Sequence, residues 1–286
     1  AMLTAESGDT DKIAQIIHEC ESLGIKVLPP NINECFGGFT VVEYEGAEAI
    51  RFGFYTIKNF GEAIADAIIE ERKRAGKFTS LEDLLNRVRH KNFNKKSLEA
   101  LIMAGALDTF GERGALLHNL DALLEYNKGQ KTLHADQGSL FSGAASHITL
   151  KEESEPLSME ARLAMEKEIL GVYVSSHPLE PFKERFEKSQ HNIGMITSGD
   201  IAVEQKVIIG GIIESVREIT TRKGQKMAFM RITDFTGSIE GVVFPKTYLT
   251  NKDICTEDTV VAIQAKVSDR DGEKTIVIEG IKKLEE

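Results

Sequence analysis

Long apolar runs, paired cysteines and catalytic constellations are all missing from this sequence of 286 residues. No stretch approaches the roughly 20 apolar residues that a bilayer-spanning helix needs, and no charged-then-apolar leader precedes a cleavage site. The expected setting is the cytoplasm, with no membrane partner. Cys20, Cys35 and Cys255 are scattered without C-x-x-C spacing, which indicates neither a zinc site nor a disulfide framework and leaves them as inert small residues. His18 and Glu19 share a helical stretch but lack ligand-spaced partners. His177, followed by Pro178, has no Ser, Cys or Asp motif beside it and reads as a packing or capping residue. No catalytic residue and no metal ligand is therefore assigned. What remains is ordinary globular composition, 41% hydrophobic and 28% charged, in a chain long enough for about two domains. It opens Ala1-Met2 and enters helical sequence almost at once, as a piece cut from a longer parent would.

Positive charge is scarce too, the formal net being −10, and it is unevenly spread. Residues 51–96 carry 11 Lys and Arg against 6 Asp and Glu, a net of +5, whereas residues 1–50 are −7, 97–204 are −8 and 205–286 are neutral. The basic segment contains Ile57-Lys58-Asn59-Phe60-Gly61 ahead of a helical run, Glu62 to Arg74. In a hairpin between helices, a glycine or asparagine takes φ > 0, and the next helix starts with amide groups that can bind a phosphate oxygen. The string alone reads equally as ordinary turn punctuation. Its coincidence with the basic segment favours a helix-hairpin-helix that grips nucleic-acid backbone through Lys58, Asn59, Gly61, Lys95 and Lys96.

Upstream, Ile13, Ile16 and Ile17 mark a helix ended by Gly24, Pro29-Pro30 forbid further helix, and Thr40–Tyr44 and Ala49–Phe54 flank a Glu45-Gly46 turn. Downstream, Ile64, Ala67 and Ile68 line a helix ended by Gly76. Thr79-Ser80-Leu81-Glu82 is a capping box for the next, and Asn94 caps a third that stops at Ala104-Gly105-Ala106. Gly105 opens a second phosphate-binding hairpin or is simply a helix C-cap. Beyond it Leu116, Leu117, Leu120, Leu123 and Leu124 line one longer helix.

Residues 129–157 lose apolar periodicity and form a linker, within which Gln137, Leu140 and Phe141 stand out. Adjacent large apolar residues in a polar segment are either chance or an anchor for a partner's pocket, and the spacing matches the peptide by which bacterial replication proteins engage a sliding clamp. After a helix over 158–170, the period becomes two: five strand candidates from Val207 to Ile281, with a short helix after the third, describe an OB-fold barrel. On its second strand Ala228, Met230 and Ile232 face inward. Phe229 and Arg231 face outward as a base-stacking and phosphate-contacting pair, with Arg222, Lys223 and Lys226 around Gly224 in the preceding loop. The neutral charge keeps a purely structural barrel open.

With these residues assembled, the chain resembles the C-terminal part of bacterial DNA polymerase III alpha subunits. The resemblance rests on Leu23-Gly24-Ile25 through Pro29-Pro30-Asn31-Ile32-Asn33, on Ile57-Lys58-Asn59-Phe60-Gly61-Glu62, on Leu98 through Asp108, on Glu166 through His177-Pro178-Leu179, and on Met227-Ala228-Phe229. It covers nearly the whole chain in order. It implies an α+β multidomain protein: residues 1–50 the end of a fingers region, 51–128 a tandem helix-hairpin-helix domain on duplex DNA, 129–157 the linker with the clamp-binding peptide, 158–192 a connecting helix and loop, and 193–286 the OB domain on single-stranded DNA. It further implies a parent that is a DNA-directed DNA polymerase using Mg²⁺ in a palm outside this stretch, and a clamp-loader contact also outside it, so that this piece binds without catalysing and holds no cofactor. One departure is Asn59, where the family has glycine. Asparagine enters φ > 0 less freely, which weakens the expectation for the first hairpin. The alternative is a stand-alone nucleic-acid-binding module of helical hairpins plus OB barrel.

Overall fold

Strands β1 (Val27–Leu28), β2 (Thr40–Tyr44) and β3 (Ala47–Arg51) form a small sheet in the order β1-β3-β2. Pro29 and Pro30 stop β1 because they offer no amide donors. Glu45 and Gly46 take φ of 53° and 80°, the doubly left-handed turn that matches the twist of a two-residue hairpin. This computed structural model describes residues 2–6, 10–135, 148, 156–270 and 272–285. It divides into two compact units, Ala1–Ser176 and His177–Glu286. Among the described residues no helix is long and apolar enough to cross a membrane.

The first unit is helical apart from that sheet. After a single turn of helix at Met2–Ala5, its helices are α1 (Thr10–Ser22), α2 (Glu62–Ala75), α3 (Leu81–Arg87), α4 (Lys95–Met103), α5 (Arg113–His118), α6 (Leu120–Ala135) and α7 (Met159–Leu170). Ile64, Ile68, Leu84, Leu98 and Leu101 are fully buried, so the i, i+3, i+4 stripes of α2, α3 and α4 meet in one core. Helix α3 is capped one residue later than its sequence suggests: Ser80 accepts from the Asp83 amide at 3.1 Å, while Asp83 reaches back to the Thr79 amide at 3.0 Å. Asn94 and Ser97 form a reciprocal capping box on α4. The long helix expected beyond Gly105 is broken in two at Asn119, which is buried and donates to the Ala115 carbonyl at 2.8 Å. Helix α7 brings Ile169 and Leu170 into the same core.

A buried guanidinium ties this unit together. Arg113, 1% exposed, forms a fork on Asp108 with both contacts at 2.9 Å and lies 3.0 Å from the fully buried Glu166 of α7. The other Glu166 oxygen accepts from the Val174 and Ser175 amides at 3.1 and 2.9 Å.

The second unit is a closed barrel of β4 (Lys206–Thr220), β5 (Lys226–Asp234), β6 (Gly237–Val243), β7 (Val260–Arg270) and β8 (Glu273–Lys283), ordered β4-β5-β6-β8-β7. Strand β4 pairs with β7 along its first half and with β5 along its second. It changes partner at Ile212, which pairs with Val260 of β7 and Thr233 of β5, and at the neighbouring Gly211 a Cβ would meet Ile232 at 2.7 Å. Ala228, Met230 and Ile232 fill the interior, as their alternation predicts. Helix α8 (Ile193–Thr197) takes an Asp234 carboxylate oxygen on its first amide at 2.8 Å, and α9 (Pro245–Asn251) sits between β6 and β7. The architecture is therefore α+β, a helical unit followed by a five-stranded OB barrel.

Replacing Arg113 by Ala leaves Glu166 as an unpaired buried charge, which costs about 3–5 kcal/mol in comparable buried pairs. Thermal melting of Arg113→Ala should show a strongly lowered transition for the helical unit. An unchanged transition would mean that Glu166 finds another partner.

Candidate nucleic-acid interface

The first hairpin is pinned from below and open above. Ile57 and Phe60 are 2% and 4% exposed, and the Phe60 ring packs 5.6 Å from that of Phe54. The intervening Lys58 and Asn59 are exposed, and the Lys58 amide is held by the Ile169 carbonyl at 2.9 Å. Asn59 supplies the left-handed residue, φ 66°, so the asparagine does take the conformation the turn requires. Gly61 is the N-cap of α2 at φ −75°, no side chain caps the helix, and nothing lies within 4 Å of where its Cβ would be. Of the leading amides of α2, that of Ile64 donates to the Gly61 carbonyl at 3.2 Å, while those of the exposed Glu62 and Ala63 have no acceptor among the described residues.

At the second hairpin, Gly105 is buried at φ 78°. Its amide bonds the Ile102 carbonyl and that of Ala106 bonds Leu101, both at 2.9 Å, which is a Schellman ending to α4. A Cβ there would lie 2.2 Å from the Arg113 guanidinium. The following helix, α5, is capped by Glu112, whose carboxylate accepts from the amides of Ala115 at 3.0 Å and Leu157 at 3.2 Å. Burial by itself would raise the Glu112 carboxyl. The amide donors and Arg162 outweigh it and hold the group below its ordinary range. Gly105 thus fills the helix-cap role and offers no contact to a phosphate, because its donor is used, its surface is covered and a carboxylate occupies the next helix start.

Much of the basic segment is committed to the fold. Arg51 pairs with Glu34 and donates to the Pro29 carbonyl. Arg72 donates to the carbonyls of Ile32 and Cys35 at 2.9 and 2.5 Å. Arg87 pairs with Glu71 and Asp83, both at 2.9 Å, and closes the end of α2 through the carbonyls of Glu71 and Gly76. Lys95 pairs with Asp121 at 2.7 Å, which raises its ammonium pKa. Lys58 and Lys96 are exposed, and no carboxylate among the described residues pairs with either. No hydrogen bond or ion pair among them joins the hairpin at 57–61 to Lys95 or Lys96.

On the barrel, Phe229 lies outside the core cluster, half-buried, with the guanidinium groups of Arg217 and Arg270 over its ring at 5.0 and 5.6 Å from the centroid. Sequence periodicity found Phe229 but not these partners, which come from β4 and from the far end of β7. Arg231 is exposed but engaged, by Glu214 at 3.2 Å and Ser238 at 2.7 Å. Arg231 and Arg270 both line a groove of about 900 Å³ over β5, β6 and β8, shared with Ser238, Glu240, Lys274 and Thr275. Lys226 pairs with Glu218 at 2.5 Å, while Arg222 and Lys223 stand exposed beside Gly224, with no carboxylate partner among the described residues. His177 packs 5.7 Å from the Phe235 ring and its Nδ1 accepts from the Leu179 amide. Gln137, Leu140 and Phe141 lie outside the described residues. Ile148 is half-buried against the helical core.

A helix-hairpin-helix motif model matches residues 24–116, and an OB-fold nucleic acid binding domain model matches residues 207–284. DNA polymerase III subunit alpha of Borreliella burgdorferi is 35% identical over 100% of this chain, that of Thermus aquaticus 36% over 100%, and that of Bacillus subtilis 36% over 86%. The chain belongs to the DNA polymerase III alpha subunit family. It spans about a quarter of the length of these alpha subunits, 25%, 23% and 22% respectively. A solved mitochondrial single-stranded DNA binding protein from S. cerevisiae is similar over 28% of this chain and 94% of that one, at 17% identity and a TM-score of 0.25.

The division of labour among the cations is testable. Arg87→Ala removes two ion pairs and the closure of α2, and should lower the melting temperature without changing the salt dependence of duplex binding. Lys58→Ala and Lys96→Ala should leave melting unchanged and flatten the slope of log K against log salt by about 0.9 for each phosphate that is no longer neutralised. Lys95→Ala, already neutralised by Asp121, should change the slope less.

Proposed function

We propose that this chain is a DNA-holding part of a DNA polymerase III alpha subunit, gripping duplex backbone through the hairpin at 57–61 and single-stranded template on the barrel. The observation that carries the reading is the uncapped start of α2 behind the Asn59 turn. Four features favour a phosphate there: unsatisfied amides, the positive end of a 14-residue helix, an exposed Lys58 and a surface clear of side chains. The exposed Glu62 in the first turn of α2 works against it, so the contact relies on the amides and Lys58 more than on the helix dipole.

On the barrel, Phe229 with Arg217 and Arg270 forms a platform on which a base can stack against the ring or a guanidinium plane, and Arg222 and Lys223 meet the backbone. Neither element reads sequence, because amide–phosphate contacts and base–aromatic stacking are the same for every base. Such contacts suit a polymerase that must accept any template. Template-directed synthesis with Mg²⁺ is the activity proposed for the whole protein, in the cytoplasm, and the clamp-loader contact is assigned to a region outside this stretch.

Gln137, Leu140 and Phe141 are proposed as the tether to a ring-shaped sliding clamp. Two apolar anchors bury about 1.5–3 kcal/mol each, so the tether is weak alone and acts alongside DNA, where a clamp on the same duplex raises the effective concentration.

Phe229→Ala should weaken oligonucleotide binding by about 1–3 kcal/mol, the worth of one base–aromatic stack, with the barrel melting as before because the ring is outside its core. Leu140→Ala with Phe141→Ala should abolish clamp binding in calorimetry and leave bare-DNA binding intact. Clamp affinity equal to wild type would assign the tether elsewhere. Template-directed extension of a primer by this chain alone would refute the assignment of catalysis to the palm of the parent.

A further inference from the structure

We propose that the carboxylates flanking the barrel groove compete internally for its cations, so that the groove holds single strand loosely and the grip concentrates at the β4–β5 loop. This rests on the barrel being a single-strand site. Three cations among the described residues line the groove, and each already has an anion: Arg231 has Glu214 at 3.2 Å, Arg270 has Glu240 at 3.6 Å and Lys274 has Asp269 at 3.1 Å. The first pair is held from both sides, since Arg231 also donates to Ser238 at 2.7 Å and the same Glu214 oxygen accepts from Thr233 at 2.9 Å. Glu240 and Glu273 themselves line the groove. In the loop, by contrast, Arg222 and Lys223 are exposed, with no carboxylate partner among the described residues.

The two ends therefore bind a phosphodiester by different exchanges. At the loop, phosphate replaces water and releases condensed counterions, which gives the full electrostatic gain. In the groove it must displace a carboxylate of the same single charge, so the gain is the difference between two similar exposed ion pairs and is close to zero. A strand lying across the barrel is thus anchored at one end and loosely held at the other, which lets it shift by a nucleotide without breaking several strong contacts together.

Fluorescence anisotropy of the full chain with labelled oligothymidylate, repeated across a salt series, tests this. Glu214→Gln and Glu240→Gln keep size and hydrogen bonding while removing the competing charge. Each should tighten binding by about two- to fivefold, and the slope of log K against log salt should steepen by about 0.7 for each cation released. Glu279→Gln is the control for overall charge, because its partner Lys206, 2.9 Å away, does not line the groove; it should leave affinity and slope near wild type. Arg222→Ala should weaken binding more than Lys274→Ala. Melting curves check that each variant folds, and the two groove variants report independently should one be destabilised. If wild type binds and Phe229→Ala weakens it, but the groove variants bind no tighter than Glu279→Gln, internal competition is overturned and the single-strand reading survives. If wild type binds no oligonucleotide, both fall.

Discussion

The helical unit depends on one buried charge. Arg113 occupies the space beside Gly105 that any other residue's Cβ would fill, forks onto Asp108 and meets Glu166 inside the core. Its position dictates three things: a glycine at the end of α4, the short turn to α5, and α7 docked where its glutamate can reach. A planar, permanently charged donor fork suits that place, because it satisfies anions on two sides while filling the volume between them. Such a network adds little net stability over apolar packing, yet losing one member is expensive, so it specifies geometry more than it adds energy.

That constraint separates the two hairpins, which look alike as sequence. Around Gly105 the amides, the helix start and the surface are all consumed by the fold through the Schellman turn, the Glu112 cap and Arg113. Around Asn59 the apolar residues Ile57 and Phe60 are buried, the side chains of Lys58 and Asn59 are exposed, and the Lys58 amide is held by Ile169. A turn able to serve as a ligand site keeps some donors free of the protein, and among the described residues of the two hairpins the Glu62 and Ala63 amides of the first are without an acceptor.

The same distinction applies to charge. Basic residues in 51–96 outnumber acidic ones, but Arg51, Arg72 and Arg87 spend their donors on carbonyls and carboxylates within the unit. The barrel, neutral by count, presents a cation–aromatic strip because β4 and the end of β7 place Arg217 and Arg270 over Phe229. Net charge is a poor guide to a footprint when guanidinium groups can be structural, since the count does not record which donors are already used.

Local sequence determined the elements. Alternation placed five barrel strands between Val207 and Ile281, where the structure has them between Lys206 and Lys283, and Asn94 and Gly76 announced helix ends because capping depends on neighbours a few residues away. It also reached the family, through strings such as Ile57 to Glu62 and the run ending His177-Pro178-Leu179. Where competing local signals were close in strength, tertiary contacts chose between them: Ser80 and Asp83 cap α3 in place of Thr79 and Glu82, and buried Asn119 divides the leucine-rich helix. The residues that distinguish an open hairpin from a closed one, or a cation–aromatic strip from a plain barrel face, are brought together by pairings across long separations: Arg113 with Glu166, Arg217 and Arg270 with Phe229, Arg231 with Glu214. Register and docking create such pairs, and a linear pattern with periods of 2 and 3.6 residues carries no information about them.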